Sequence, residues 1–332
     1  MTVQRAFNRT ITLCGAVTVM LALAGNWTAK ADSFPSRPLR IISPFSAGSP
    51  PDAFGRLVAQ QLSGVLRQNV IVENHPGAGT TLGTKIGALA QPDGYTLLQV
   101  NSALTFGQML YPGVTYDPIK SFAPVALLAS WRHVLVGNPS VTANSLKELI
   151  AYARAHPGAL SFASPAGAPP HLLAHMLRMQ TGAQFNDITY RQAPQLLADL
   201  MAGRVQLYFS AGEPVVSMVK HGKLKAFAST GATREAALPD VPTMAEAGFA
   251  NMTVDPSDWT GLVAPVGIPN RVVAKLHGAV GTALKSPEVT AMLAKLGWTA
   301  SSTDPEAFAR FISASAERWG KIVREAHLKK AE

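Results

Sequence analysis

The segment best suited to hold a ligand is PFSAGSPPD at 44–52, a loop of small residues between an apolar run and a helical pattern. In open α/β sheets, ligands bind beyond the carboxyl ends of strands, where loop amides and helix N-termini point at them. Backbone N–H groups come from Ala47, Gly48 and Ser49, an apolar wall from Phe45 and a charge from Asp52. The sequence predicts an anion site here, the alternative being a tight turn in which Asp52 only caps the helix.

Other kinds of chemistry find less support in the sequence. The glycines of GAGTTLG at 77–83 lack the GxGxxG spacing and no P-loop lysine follows, so we predict a structural turn and no nucleotide cofactor. The chain contains neither a GxSxG elbow nor an HExxH helix, and we expect no enzyme activity. His171 and His175 share a helix face as metal ligands can, but no third ligand is apparent nearby. We therefore expect no metal, with His171 facing a ligand and His175 satisfied or solvated.

The elements that must position these residues alternate between apolar β-rich runs and helical patterns from Leu39 almost to the end. This alternation is typical of α/β lobes with mostly parallel sheets. The predicted strands are 39–43, 70–73, 95–100, 125–128, 134–136, 160–163, 188–190, 205–209, 224–228 and 260–264.

Helix starts and stops are marked by local chemistry. Ser145 with Glu148, and Thr303 with Glu306, have the capping-box spacing ahead of apolar stripes, the second of them opening a long C-terminal helix. Glycines stand where helices should stop, at Gly182, Gly203, Gly222 and Gly248. The helix after Asp52 has a predicted inward face of Phe54, Leu57, Val58, Leu62, Val65 and Leu66.

Chain length predicts two lobes, because 332 residues exceed the size at which one hydrophobic core normally keeps growing. Hinge segments are predicted around 130–132 and 255–259. A chain that leaves the first lobe and returns gives a discontinuous lobe 1 of 32–130 plus 257–332, with 131–256 as lobe 2.

The N-terminus has the order of a secretory signal peptide. Arg5 and Arg9 precede an uncharged apolar run at 11–25, and small residues follow at Ala29 and Ala31. The run is shorter than the roughly 20 residues that a helix needs to cross a bilayer, so we predict cleavage after Ala31 and a periplasmic protein, with an uncleaved anchor as the alternative. Cys14, the only cysteine, lies inside this segment, which leaves no thiol for disulfides.

Charge indicates a small-molecule partner. The net charge is +9 for the full chain and +6 without the predicted signal peptide, a surplus that favours anions only weakly. The basic residues of the chain form no dense cluster or stripe of the kind that binds nucleic acid. We expect no nucleic-acid partner and a monomer.

Several ordered motifs together resemble the substrate-binding proteins of tripartite tricarboxylate transporters, the Bug family. They are RPLRII at 37–42 leading into PFSAG at 44–48, VENHPGAG at 72–79, PDGYTLL at 92–98, YDP at 116–118, FAPVA at 122–126, LPDVPT at 238–243 and GLVAP at 261–265. The resemblance covers nearly the whole mature chain. It implies a two-lobed, type II Venus-flytrap fold that hands a small organic acid to membrane transporter subunits, without a cofactor.

The resemblance also implies a set of ligand contacts. The first loop would hold one carboxylate, and the remaining contacts would come from Asn101, Ser102, the loop from Ser164 through Ala166 and Gly167 to His171, then Tyr190, Ser210, Ala211 and Trp259.

Departures from the family pattern concentrate in these loops. SPP at 49–51 replaces a second glycine, the 164–171 loop seems one residue short, and Ser210 to Glu213 replace an Asp-Asn pair. A stiffer, less polar pocket follows, so a monocarboxylate or an amino-acid-like ligand contacting Asp52 or Glu213 is as compatible as citrate. Two further alternatives are a ligand-sensing partner of a signalling receptor and a nicotinamide-dependent dehydrogenase.

Overall fold

The computed structural model describes residues 34–190, 193–301 and 303–326, and leaves out the side chains of 193 and 213. The predicted signal peptide, its cleavage position after Ala31 and Cys14 lie outside these residues. Within the described ranges, every helix is too short or too polar to cross a membrane.

Two sheets organise the described chain. The first sheet has six strands in the order β11-β4-β10-β3-β1-β2, and the second has five in the order β7-β6-β8-β5-β9. The strands are β1 (Leu39–Ser43), β2 (Val70–Asn74), β3 (Thr96–Asn101), β4 (Phe122–Trp131), β5 (Val134–Gly137), β6 (Ser161–Pro165), β7 (Asn186–Tyr190), β8 (Leu207–Ser210), β9 (Lys225–Ser229), β10 (Asp258–Pro265) and β11 (Thr299–Ala300).

Strand pairing confirms the two-lobed α/β class but shows that the prediction of mostly parallel sheets is wrong. In the first sheet β1 is parallel to β2 and β3, and in the second β6 is parallel to β7 and β8. The other pairs are antiparallel. The physical reason is the return of the chain: β10 enters the first sheet from the second and so runs against β3 and β4.

All ten predicted strands are confirmed with small shifts at their ends, and β4 is longer than predicted. The sequence gives no signal for β11, because its two residues are exposed and carry no apolar alternation.

Ten helices flank the sheets in the described residues. They are α1 (Pro50–Leu66), α2 (Thr81–Ala88), α3 (Ala103–Leu110), α4 (Leu146–Ala155), α5 (Pro169–Thr181), α6 (Ala193–Met201), α7 (Glu213–Lys220), α8 (Asn270–Ala283), α9 (Pro287–Leu296) and α10 (Pro305–Glu325).

The capping predictions have different outcomes. Ser145 caps α4 by accepting a hydrogen bond from the Glu148 amide at 3.2 Å, as predicted. The Thr303 prediction is wrong, because Asp304 caps α10 and accepts from the Ala307 amide at 2.6 Å. Pro305 occupies the first helical position, which moves the cap one residue along the chain.

The inward face of α1 is largely as predicted. Phe54, Val58, Leu62 and Leu66 are buried at spacings of four residues, but Val65 is 41% exposed and does not belong to that face. The burial of this stripe fixes the orientation of the helix that follows the predicted ligand loop.

The chain passes between the sheets twice, after β4 and before β10. Arg132 Nε donates to Asp255 Oδ1 at 2.7 Å, and the buried ring of His133 lies 2.8 Å from Ser257 Oγ. We call the first sheet with its flanking helices the first lobe, and the second sheet with α4–α7 the second lobe. The residue-level boundaries predicted at 130/131 and 256/257 stay a prediction.

Helix α10 belongs to the first lobe by contacts with α3 and β4, and it also contacts α5 of the second lobe. Trp319 on α10 packs edge-on against Phe106 of α3 with ring centroids 5.9 Å apart. A continuous apolar cluster therefore joins parts of both lobes.

Candidate functional site

The first lobe brings three strand ends to one edge of its sheet. Because β1, β2 and β3 are parallel, Ser43, Asn74 and Asn101 at their carboxyl ends lie at the same edge. Strand β10 begins beside them, with Thr260 opposite Asn101. The predicted ligand loop leaves β1 at this edge, in the position that open α/β sheets use for ligands.

Asp52 orders that loop from the first turn of α1. Its carboxylate, 1% exposed, accepts from the Gly48 amide at 2.9 Å, from Asn74 Nδ2 at 2.5 Å and from Arg56 Nε at 3.0 Å. Burial acts to raise the pKa of Asp52, but these hydrogen bonds hold it below its usual value. Asp52 is thus neither the free ligand charge nor the helix cap that the sequence suggests, since Ser49 occupies the cap position.

The loop amides are only partly available to a ligand. The Gly48 amide is used by Asp52, and the Ser49 amide donates to the Ser46 carbonyl at 3.1 Å. Within the described residues, the Ala47 amide makes no hydrogen bond. The prediction of three donating amides is therefore corrected to one. Phe45 is 8% exposed, and its carbonyl accepts from Asn74 at 3.0 Å.

Unpaired polar atoms cluster along this edge. Ser43 Oγ, Ser49 Oγ and Asn101 Oδ1 are buried and have no hydrogen-bond partner among the described residues. Most buried polar groups in proteins are hydrogen-bonded, so such atoms mark a place for a ligand or water. Asn101 is a predicted site residue, whereas Ser43 is a new one, and its only sequence signal is a polar residue ending a buried strand.

Two residues predicted to contact the ligand, Ser102 and Trp259, instead make hydrogen bonds to the buried Asp258, which we call the floor of the site. Ser102 Oγ donates to Asp258 Oδ1 at 2.6 Å, and the Trp259 amide donates to the same oxygen at 2.8 Å. The Trp259 indole is 1% exposed, packs against Phe308 and Phe311, and donates to Ser315 Oγ at 3.3 Å, so its ring lies in the core. Burial raises the pKa of Asp258 to about 7. This acidic group is not apparent as a site feature in the sequence.

The second lobe presents an equivalent edge. Because β6 is parallel to β7 and β8, Pro165, Tyr190 and Ser210 end at one level. Ser164 is 2% exposed, and the Ala166 amide donates to the Tyr190 carbonyl at 3.3 Å. The structure therefore brings the predicted residues of this lobe together, next to the start of α5.

Gly167 and His171 form the turn into α5. Gly167 has φ of 66°, and its amide donates to His171 Nδ1 at 3.2 Å. Burial lowers the pKa of His171, and that of His175 falls to about 4, so both imidazoles are neutral at pH 7. His175 Nε2 lies 3.0 Å from His171 Nε2, which makes it part of a side-chain cluster.

The remaining predicted residues lie at the ends of β7 and β8. Tyr190 donates its hydroxyl to Asp199 Oδ2 at 2.9 Å, which turns that group toward α6. Ser210 is buried and Ala211 partly buried, while Glu213 begins α7 with its side chain outside the described part of the chain.

Tyr111 contacts loops from both lobes. A Cβ atom placed on Gly79, in the loop after β2, would lie 2.4 Å from the Tyr111 ring, and one on Gly167 would lie 2.5 Å from its hydroxyl. A second approach joins Gly212 to the end of α9, where a Cβ atom would lie 2.8 Å from the Leu296 carbonyl oxygen. Loops that follow strands of both sheets thus come close together at Tyr111 and at Leu296.

Comparison with known proteins agrees with this architecture. The profile of the Tripartite tricarboxylate transporter family receptor matches residues 54–328. Protein BugT of Bordetella pertussis is 34% identical over 317 residues, covering 94% of this chain and 97% of BugT. The structure of the periplasmic binding protein BugD superposes with a TM-score of 0.77 at 31% identity, covering 90% of this chain and all of BugD.

A further solved structure, R. palustris Rpa4515 with adipate, superposes with a TM-score of 0.79 at 28% identity, again over 90% of this chain and all of the other. The match to the profile extends over most of the chain, and the two-lobed architecture is the same. The chain belongs to the tripartite tricarboxylate transporter receptor family of solute-binding proteins.

Proposed function

We propose that this protein is a periplasmic receptor that captures a small carboxylate in the cleft between its lobes and delivers it to membrane subunits of a tripartite transporter. The observation that carries the proposal is the meeting of the Gly79 and Gly167 loops at Tyr111, which turns both strand-end edges toward one cleft. Family membership supports the transport role, and the N-terminal sequence pattern supports export.

The first-lobe edge offers donors suited to one carboxylate. Among the described residues the Ala47 amide and the Ser43 and Ser49 hydroxyls have no hydrogen-bond partner, and N–H and O–H groups are what a carboxylate accepts from. Asp52 does not oppose an anion there, because Arg56 pairs with its charge while Asn74 and the Gly48 amide donate to its oxygens.

The rest of the ligand would contact the second lobe, at Ser164, Ala166 and Gly167 and at Ser210 and Ala211. The relative solved with adipate, a linear molecule with a carboxylate at each end, supports a ligand that reaches from one edge to the other. Closure around it would exclude water, so that the oriented amides act in a lower effective dielectric.

A thermal-shift screen of mono-, di- and tricarboxylates, followed by calorimetric titration of the best compounds, tests the proposal. A ligand at 100 times its dissociation constant should add about 2.7 kcal/mol to the stability of the native state. A panel in which no carboxylate binds would refute carboxylate capture.

Ser43→Ala separates ligand binding from folding. Because the Ser43 hydroxyl is buried and has no partner in the part of the chain that the structure describes, its removal should leave the unliganded protein equally stable or slightly more stable. Loss of one hydrogen bond to a charged ligand group should weaken binding about tenfold or more. Ser140→Ala is the control, because Ser140 is exposed and lies far along the chain from the residues of both edges. It should change neither the stability nor the ligand affinity.

A further inference from the structure

The cluster around His171 and His175 gains a third candidate ligand from the neighbouring strand. Asp187 on β7 lies beside α5, and one ligand atom from each of the three side chains falls within 4.8 Å of the others. His171 Nε2 and His175 Nε2 are 3.0 Å apart, and His175 Nε2 is 3.9 Å from Asp187 Oδ2. The sequence pairs the two histidines, but only the fold brings in the carboxylate.

We infer that His171, His175 and Asp187 form a binding site for a divalent transition metal, with Zn²⁺ the ion best matched by two imidazoles and a carboxylate. Zinc bound to imidazole and carboxylate has metal–ligand distances of about 2.0–2.2 Å and commonly keeps a fourth position for water or substrate. Ligand atoms of a tetrahedral site then stand roughly 3.3–3.5 Å apart, so the observed separations require only small side-chain movements.

The hydrogen bonds of the cluster direct the two Nε2 atoms at one point. The Gly167 amide donates to His171 Nδ1, so the neutral His171 ring carries its proton on Nε2 and can donate it to His175 Nε2 at 3.0 Å. Arg178 Nη2 lies 2.8 Å from His175 Nδ1 and 3.4 Å from His175 Nε2. A metal ion would take the place of the proton between the two Nε2 atoms.

Arg178 is the internal competitor for this site. Its guanidinium forms an ion pair with Asp187 and also contacts His175. Metal-ligating histidines carry the remaining proton on the other ring nitrogen, so binding must displace Arg178 from His175 Nδ1 and the Gly167 amide from His171 Nδ1. Because Gly167 belongs to the proposed ligand loop, an occupied metal site would alter the second-lobe edge of the cleft.

Titration of the tag-free mature protein with ZnCl₂, and with CoCl₂ followed by visible absorption, tests the site. We expect one ion per chain, and a Co²⁺ spectrum of four-coordinate type. His175→Gln and Asp187→Asn should each weaken Zn²⁺ binding about tenfold or more, since even outer-shell changes at metal sites cost about 10–100-fold. Arg178→Gln should strengthen it, because the competing cation is removed.

His156→Gln and His221→Gln are matched controls, because both residues are exposed histidines on other helix ends. No Zn²⁺ binding by the wild type up to millimolar concentration would overturn the inference. Equal affinity in the wild type and either ligand variant would overturn it as well. Carboxylate binding is measured separately, with a metal chelator present, so absence of the metal site leaves the proposed function intact.

Discussion

Asp258→Asn should change how stability depends on pH, because the Asp258 carboxyl is buried at the floor of the site. In the folded protein, burial raises the pKa of Asp258 to about 7 from a reference value of 3.8. Asparagine keeps an oxygen to accept from Ser102 Oγ and the Trp259 amide, but it cannot ionise.

The direction of the pH dependence follows from the pH range in which the folded and the unfolded chain each keep the Asp258 proton. Below about pH 4 both states of the wild type are protonated, and the carboxyl contributes no pH dependence. Between about pH 4 and 7 the unfolded chain releases the proton while the folded chain keeps it, so wild-type stability falls as pH rises. Above about pH 7 both states are ionised and the loss is complete.

The size of the effect follows from the shift. About three pKa units at 1.36 kcal/mol each give a loss of roughly 4 kcal/mol as an upper limit, because relaxation and water entry reduce it. Relative to the wild type, Asp258→Asn should therefore gain stability between pH 4 and 7 and hold a constant advantage above that range. His133, whose pKa burial lowers to about 3, is common to both proteins and cancels.

Urea unfolding of both proteins at pH 4, 5, 6, 7 and 8 measures the difference directly. A difference in unfolding free energy that is the same at pH 5 and pH 8 would refute the buried, proton-holding Asp258.

Three further predictions concern binding and packing. Capture of a carboxylate near Asp258 should raise the pKa of Asp258 further, so that binding takes up a proton from the buffer. Calorimetry at pH 7.5 should therefore give different observed enthalpies in phosphate and in Tris. Equal enthalpies would argue against a ligand charge at this edge. Gly167→Ala adds a Cβ atom at a residue with φ of 66°, 2.5 Å from the Tyr111 hydroxyl. It should lower the free energy of unfolding by about 1–2 kcal/mol in the wild type and by clearly less in a Tyr111→Ala background. Strictly additive effects of the two substitutions would contradict the contact. Trp298→Ala removes a stack on Trp131 at 4.1 Å and an edge contact with Phe54 at 5.5 Å, so chemical denaturation should show a loss of about 1–3 kcal/mol, and an unchanged midpoint would contradict this packing.

Local chemistry in the sequence was sufficient to predict most elements. Apolar runs predict the ten main strands, and Ser145 with Glu148 predicts the start of α4, because burial and capping act between near neighbours. Sheet direction was not predictable in this way. The antiparallel pairing of β10 depends on where the chain returns from the second sheet, and no residue of β10 carries that information.

The site residues also divide into those that local sequence predicts and those that only the fold reveals. Ala47 could be predicted from its loop, because strand-end position can be inferred from order along the chain, whereas Asn101 and Gly167 were implied by the family resemblance and their contacts with a ligand stay predictions. The roles of Gly48 and Asp52 could not be predicted, because the Gly48 amide is engaged by a carboxylate that Asn74 and Arg56 also bind. Tyr111, Asp187 and Asp258 act through contacts with residues distant in sequence, and only the fold reveals them.

The central claim is that one small carboxylate bridges the strand-end loops of both lobes. Amide chemical shifts, followed by NMR while the tightest-binding carboxylate of the panel is added, test it most directly. We predict large shifts at both Ala47 and Gly167, and both should give the same dissociation constant as calorimetry. Shifts confined to one lobe, or centred away from both loops, would contradict the account.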